Sequence, residues 1–137
     1  MRITIAADIG LRALMVLAGR PERLRTVAGL AVELSVSERH LGKVVQRLAA
    51  GGLLDTTRGR GGGLRISAQG LGASAAEVLT LIEGGPLVID CDNPPCPLAS
   101  LDCRLRRVLG GAQEAFMGQL RAITIAEMAT TTTAPAS

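Results

Sequence analysis

The stretch TVAGLAVELSVSERHLGKVVQRLAAGGLL, residues 26–54, predicts two helices joined by a tight turn. Its first part, 27–34, has apolar residues at 27, 30, 31 and 34, which is helical spacing. After the turn, Ser37 is well placed as the N-cap of a second helix at 38–50, which the glycine pair at 51–52 ends. That second helix has one apolar stripe, formed by Leu41, Val44, Val45 and Leu48. Two such helices predict a helix-turn-helix.

The next segment, LLDTTRGRGGGLRIS at 53–67, predicts a β-hairpin with a glycine-rich tip. Short strand-forming segments flank the glycines, and arginines at 58, 60 and 65 supply positive charge. RGRGGG lacks the Gly-Lys-Ser/Thr ending and the strand–loop–helix setting of a nucleotide-binding loop, so we reject that interpretation. Helix-turn-helix and hairpin together predict a winged helix-turn-helix DNA-binding domain over residues 1–70, in a mainly α fold with a small β-hairpin wing.

Further helices are expected on both sides of this unit. Amphipathic spacing predicts a helix at 7–18, a short helix at 74–85 and a longer helix at 104–120. A last short helical turn is expected at 123–128. The long helix carries one apolar stripe, made of Leu105, Val108, Leu109, Ala112, Phe116 and Leu120.

The apolar stripe of the long helix predicts a homodimer. An apolar face on a helix outside the winged-helix core needs a cover, which a second subunit would supply. We therefore expect residues 71–128 to form a cysteine loop and a C-terminal dimerisation helix. Residues 129–137, mainly Thr, Ala and Pro, are expected to be a disordered tail.

Composition and charge narrow the class of protein. Apolar residues make up 47% of the 137 residues, with one Phe and no Trp or Tyr, so the core must be aliphatic. Residues 1–65 carry eleven Lys/Arg against five Asp/Glu, which favours a polyanionic partner, with nucleic acid the first candidate. Asp8 and Arg12 interrupt the apolar N-terminus, which argues against a signal peptide, and no apolar run is long enough to span a membrane. We expect a cytoplasmic protein that is not an enzyme, because no nucleophile–base pair is evident.

The predicted winged helix supplies candidate contacts to double-stranded DNA. A recognition helix enters the major groove with its N-terminal residues closest to the bases, and a wing suits a minor groove or phosphates. The helix candidates are Ser37, Arg39, His40, Lys43 and Arg47. The wing candidates are Arg58 and Arg60. Two other interpretations remain: the charges belong to an ordinary solvated surface, or the winged helix binds only protein.

All three cysteines lie in one loop, CDNPPCPLASLDC at 91–103. Their C-x4-C-x6-C spacing is not the paired C-x2-C of zinc ribbons, and the prolines stiffen the loop. Three thiolates spread along such a loop suit an iron–sulfur cluster, for which a fourth ligand is missing. That ligand would be a carboxylate, a histidine, a small molecule or a group from another chain. A structural zinc site and cysteines without a role stay open as alternatives.

The sequence resembles the family of winged-helix iron–sulfur regulators that includes NsrR and IscR. The matching motifs are T-x-x-x-D-x-G-L-R-A-L at 4–14, V-S-x-x-H-x-x-K at 36–43, RGGGL at 60–64 and C-R-L at 103–105. The resemblance runs from about Arg2 to Met128 and is strongest to the nitric-oxide-sensitive NsrR branch. It implies a homodimer, held together by the long helix, that represses transcription at an inverted-repeat operator.

The resemblance also implies a ligand set and a signal. The cluster would be held by Cys91, Cys96 and Cys103, with Asp8 of the partner subunit as the candidate fourth ligand. A 4Fe–4S cluster is favoured over 2Fe–2S, because the IscR branch has a histidine where this chain has Arg106. Nitric oxide would be the signal, with the operator released on nitrosylation. The alternative within the family is a sensor of iron or of cluster status.

Overall fold

A computed structural model describes residues 2–85 and 88–131 of the chain, as seven α-helices and one two-stranded hairpin. The bounds are α1 Ile5–Ala18, α2 Val27–Leu34, α3 Glu38–Ala50, β1 Leu54–Thr57, β2 Gly63–Ile66, α4 Ala68–Gly72, α5 Ala75–Glu83, α6 Arg104–Arg121 and α7 Ile125–Thr131. The mainly α fold with a β-hairpin is therefore confirmed. None of the helices in the described part of the chain has the length and apolar character needed to cross a bilayer.

The helix-turn-helix forms where the sequence predicts it, because its boundaries are set by local contacts. Thr26 caps α2 by accepting a hydrogen bond from the backbone N–H of Gly29, at 3.0 Å. Ser35 ends α2 in the left-handed conformation, with φ of 55°. Ser37 then caps α3, and the backbone N–H of His40 donates to its hydroxyl oxygen at 3.1 Å. Two residues, Ser35 and Val36, therefore separate the end of α2 from the cap of α3.

Several helices differ from the predictions, among them α5, which spans Ala75–Glu83 and is shorter than the predicted 74–85. Helix α1 begins at Ile5, two residues early, because Thr4 caps it through the N–H of Ala7. The five-residue helix α4 was not predicted, since AQGLG has no apolar periodicity; Ser67 caps it. Helix α7 extends to Thr131, so the first three residues of the predicted tail at 129–137 are helical. The rest of that tail, 132–137, lies outside the described residues.

The hairpin is anchored to the helical core by a third segment of extended chain. Strand β1 pairs antiparallel with β2, and Leu54 faces Ile66 with both side chains buried. On the other side of β2, Arg25 and Leu64 exchange backbone hydrogen bonds, both of 2.8 Å. A Cβ on Gly63 would lie 2.6 Å from the carbonyl oxygen of Arg25, so only glycine fits there. The hairpin base is thus fixed while its glycine tip projects.

One aliphatic core joins the winged helix to the helices that follow it. Helix α1 is central and packs against α3, α5 and α7. The largest fully buried side chains are Leu14, Leu17, Leu30, Leu41, Leu48, Leu79, Ile125, Val44 and Val78. They come from both sides of residue 70, so the winged helix and the C-terminal segment share one core. A functional division near residue 70 stays a prediction.

Helix α5 lies before the cysteine loop in the sequence, and contacts hold both of its ends. At its start, Ser74 and Glu77 form a reciprocal capping box, whose hydrogen bonds lower the pKa of the Glu77 carboxyl. Near its end, the side chain of Ile82 occupies the place where a Cβ of Gly10 would stand, so α1 and α5 touch closely. Gly84 ends the helix with φ of +76°. The end of α5 is therefore held against α1.

Candidate nucleic-acid interface and cysteine loop

The N-terminal end of α3 presents polar side chains to solvent. Ser37, Arg39 and Lys43 are exposed, and His40 is half-buried. The opposite face holds the helix in place through the buried stripe Leu41, Val44, Val45 and Leu48. Because the hydroxyl oxygen of Ser37 accepts the capping hydrogen bond, its O–H is still able to donate to a ligand. This end of α3 has the form that major-groove reading requires.

The tip of the hairpin presents the predicted wing residues, Arg58 and Arg60, both exposed. Between and beside them, Gly59 and Gly61 have φ of +91° and +72°, a region that side chains disfavour. A Cβ on Gly62 would run into the backbone of Thr57. The glycines thus make a narrow turn with two flanking guanidinium groups. Such a shape suits a phosphate backbone or a minor groove.

Arg47, another predicted DNA contact, has a hydrogen-bond partner in a different helix of the protein. It lies in the last turn of α3, and its Nη1 donates to the backbone carbonyl of Ile82 at 2.8 Å. That carbonyl belongs to the last turn of α5. Sequence reasoning could not find this contact, since it joins residues 35 positions apart. A DNA contact by Arg47 stays a prediction.

The cysteine loop carries three free thiols. Cys91, Cys96 and Cys103 are all half-buried, and none is in a disulfide. The backbone N–H of Cys96 donates to the carbonyl of Cys91 at 2.9 Å, which closes a turn between the first two. Cys103 stands at the N-cap of α6, but its sulfur makes no capping hydrogen bond. Its thiol is therefore not committed to holding that helix.

The donor set suits a soft metal, although the thiols do not yet surround a common point. Within residues 2–85 and 88–131, no three His, Cys, Asp or Glu side chains lie close enough together to hold a metal ion. Three thiols on one short loop nevertheless fit the ligand chemistry of iron–sulfur clusters, and a fourth donor from elsewhere is required. The residues present fit such a group if the loop tightens around it.

Asp8 is placed on the surface of α1. Its carboxylate accepts from Nε of Arg12 at 2.8 Å, and the two side chains are 42% and 63% exposed. A pair this exposed contributes little stability and is easily exchanged for another partner. The carboxylate is therefore accessible to a group from outside its own subunit. Its role as a ligand to the partner subunit's cluster stays a prediction.

The two halves of helix α6 differ in burial. Met117 is buried against the core, where α6 packs on α5, a contact that the predicted stripe does not include. Of that stripe, Leu105 and Val108 are 59% and 62% exposed. Leu98 and Leu101, in the loop before the helix, are also more than half exposed. Exposed apolar side chains therefore continue from the cysteine loop into the N-terminal half of α6.

Sequence reasoning missed two side chains, Gln113 and Glu83, that make hydrogen bonds close to the start of the cysteine loop. The side-chain oxygen of Gln113, on α6, accepts from the backbone N–H of Val88 at 2.8 Å. The carboxylate of Glu83, at the end of α5, accepts from the backbone N–H of Thr4 at 2.7 Å. Nothing in the local sequence signals either contact, because both depend on how distant helices pack.

Comparison with known proteins gives consistent matches. The family profile described as "Rrf2: Iron-dependent Transcriptional regulator" matches residues 3–131. The chain is 38% identical to the HTH-type transcriptional repressor NsrR of Streptomyces coelicolor, over 98% of this chain and 93% of that protein. Its fold is similar to T. potens IscR, with a TM-score of 0.78, 19% identity, and coverage of 99% and 94% of the two chains. It is equally similar to CymR, the global cysteine regulator of B. subtilis, with a TM-score of 0.78, 20% identity, and coverage of 97% and 99%.

Proposed function

This chain belongs to the Rrf2 family of transcriptional regulators, and we propose that it is a DNA-binding repressor whose cysteine loop senses nitric oxide through an iron–sulfur cluster. Membership of the family confirms the resemblance found in the sequence, and it makes the chain a transcriptional regulator rather than an enzyme. The operator, the cluster, the signal, the dimer and a cytoplasmic location are parts of the proposal.

The DNA-binding part rests on the placement of exposed charge. The N-terminal side chains of α3, namely Ser37, Arg39, His40 and Lys43, read base edges, and Arg58 and Arg60 hold the wing on the backbone. Two such units in a homodimer match an inverted-repeat operator, because protein symmetry and operator symmetry must agree. Residues 1–70 supply the reading surface and 71–128 supply the sensor and the dimer contact.

The sensor part rests on one observation, the three free thiols on a single loop between α5 and α6. Cys91, Cys96 and Cys103 would hold the cluster, with Asp8 of the partner subunit as the fourth ligand. A bound cluster, 4Fe–4S in preference to 2Fe–2S, supplies iron that reacts with nitric oxide. The chain's own contribution is mechanical. Thiolate bonds hold the loop in one conformation, and their loss releases the segment between α5 and α6.

The experiment that tests this function is metal analysis followed by a nitric oxide titration. Protein purified without oxygen is assayed for iron, sulfide and visible absorption, and its operator is selected from random duplexes. About four irons per chain, bleached by nitric oxide together with loss of operator binding, support the proposal. Zinc alone contradicts the sensor. The second candidate function is a sensor of iron or of cluster status, which the iron-dependent description of the family favours. Bound iron that does not react with nitric oxide but controls DNA binding would support this second candidate.

Replacing Arg60 by alanine is expected to weaken operator binding with no change in iron content. The side chain is exposed at the wing tip and is not one of the predicted cluster ligands. Loss of one phosphate contact should reduce the slope of log affinity against log salt concentration by about 0.9. Fluorescence anisotropy with labelled operator at several salt concentrations measures both quantities.

Arg20→Ala is the matched control for this prediction, because it removes the same charge at an exposed position. Arg25 pairs with β2 in the antiparallel sense, so the residues before it run toward the hairpin base and away from the tip. An Arg60→Ala variant that binds the operator as tightly as wild type at every salt concentration would show that the wing is not part of the interface.

A further inference from the structure

Arg47 stands at the wrong end of α3 for base reading. Eight residues separate it from Arg39, which places the two Cα atoms about 12 Å apart along the helix axis. A recognition helix reads bases with its N-terminal residues, so the C-terminal turn of α3 lies at the edge of the groove or beyond it. A cation in that turn requires another explanation.

The contact that Arg47 makes is specific. Its guanidinium donates to the carbonyl oxygen of Ile82 at 2.8 Å in a partly buried setting. Ile82 is in the last turn of α5, where carbonyl groups have no intrahelical partner and the helix dipole favours a cation. A single side chain of the reading helix thus satisfies the end of another helix.

The end of α5 lies between the cysteine loop and the recognition helix α3. Cys91 follows Ile82 by nine residues, and the intervening Val88 is tied to α6 by Gln113. On the other side, Glu83 binds the N-terminus of α1 through Thr4. Ile82 is 4% exposed, and its side chain fills the space above Gly10, so α5 packs closely on α1. The end of α5 therefore contacts α3 through Ile82, and it contacts α1 through Ile82 and Glu83.

We propose that Arg47 is a positioning residue that couples the state of the cysteine loop to the orientation of the recognition helix. It acts through the carbonyl of Ile82 and not through DNA. This inference rests on the proposed function, since it supplies the physical link between the two parts of it. When the loop is held by its thiolates, the end of α5 is fixed and Arg47 fixes α3; when the loop is released, that constraint on α3 is lost.

The test compares Arg47→Met with Arg39→Met, a loss of the same charge on the same helix. Operator affinity is measured for the cluster-loaded and cluster-free dimers at several salt concentrations. Coupling between two sites commonly corresponds to about 5- to 150-fold in affinity. In Arg47→Met we expect the ratio between the two forms to fall to about twofold or less, with an unchanged salt slope. In Arg39→Met we expect both forms to weaken equally and the salt slope to fall by about 0.9.

A second variant, Arg47→Lys, keeps a charged donor that reaches toward the Ile82 carbonyl and should preserve most of the wild-type ratio. The proposal is overturned if Arg47→Met behaves like Arg39→Met, which would make Arg47 a phosphate contact. It is also overturned if Arg47→Met keeps the wild-type ratio, because the link would then carry nothing.

A separate measurement distinguishes failure of this inference from failure of the proposed function. A wild-type protein whose DNA affinity does not depend on its cluster contradicts the function itself. Amide hydrogen exchange on the cluster-free protein then still tests the link. Arg47→Met should speed exchange in the last turns of α3 and α5, and Arg39→Met should not. Equal exchange in both variants would overturn the role of Arg47 independently of any cluster.

Discussion

Cys96→Ala is expected to abolish the visible absorption of the bound cluster and to weaken operator binding by about 100-fold, while the protein stays folded. Cys96 is the middle thiol of the loop. The chain has only three cysteines, so there is no fourth thiol to replace it. Its backbone N–H, which donates to the carbonyl of Cys91, is unaffected by the substitution. The loop would then lose a ligand without losing its turn. Iron content, absorption spectra and operator affinity measure the effect on protein purified without oxygen.

Ser100→Ala is the matched control, since it changes one polar atom in the same loop without removing a thiol. It should keep both the spectrum and the affinity of the wild type. Circular dichroism of Cys96→Ala should match the wild type, because the loop contributes no side chain to the core formed by α1, α3 and α5. Full iron content in Cys96→Ala would contradict the ligand assignment.

Val108→Glu is expected to convert the dimer to a monomer of 14.1 kDa and to weaken operator binding by about 100-fold or more. Val108 is 62% exposed in the N-terminal half of α6, and Leu105 beside it is 59% exposed. Burying a carboxylate in a dimer contact without a partner is costly, so association fails. A monomer engages only one half of an inverted repeat and loses the gain from two linked sites. Sedimentation velocity and anisotropy at the same protein concentrations measure both effects.

Gly110→Glu provides the control on the same helix. It introduces the same charge about 200° further round α6, at a position where a Cβ meets open space. That variant should remain dimeric and bind the operator normally, with unchanged or slightly higher helix stability. A Val108→Glu protein that still sediments as a dimer would show that another surface holds the subunits together.

The helix-turn-helix and the wing could be predicted closely because their determinants are local. Ser37 caps α3 three residues before the amide that it binds, and the apolar stripe from Leu41 to Leu48 repeats within the same helix. Gly59 and Gly61 of the wing adopt positive φ values, which glycine reaches without steric cost. Each of these signals lies within a few residues of the structure that it specifies. The thiol positions, likewise, needed only the sequence of one loop.

The pattern on α6 shows where such reasoning stops. Periodicity identified an apolar stripe, but it gave no sign that Met117, outside that stripe, would be the residue buried in the core. Periodicity also could not predict that burial would differ along the stripe, where Phe116 is half-buried while Leu105 and Val108 are exposed. Which face a helix turns inward depends on the neighbour it packs against, here α5.

By itself, then, the sequence determined the helix-turn-helix, the glycine wing, the aliphatic core and the clustering of three thiols, because caps, periodicity and composition act over short distances. Tertiary structure alone decided that Arg47 binds the carbonyl of Ile82 and that Arg25 anchors the wing through Leu64. It also decided that the five residues of α4 form a helix. The first two contacts join residues that packing brings together across 35 or more positions. The helix α4 needs the close approach of Gly70 to the backbone carbonyl of Leu53. Local pattern carries no information on such partners, since many sequences with the same periodicity would pack differently.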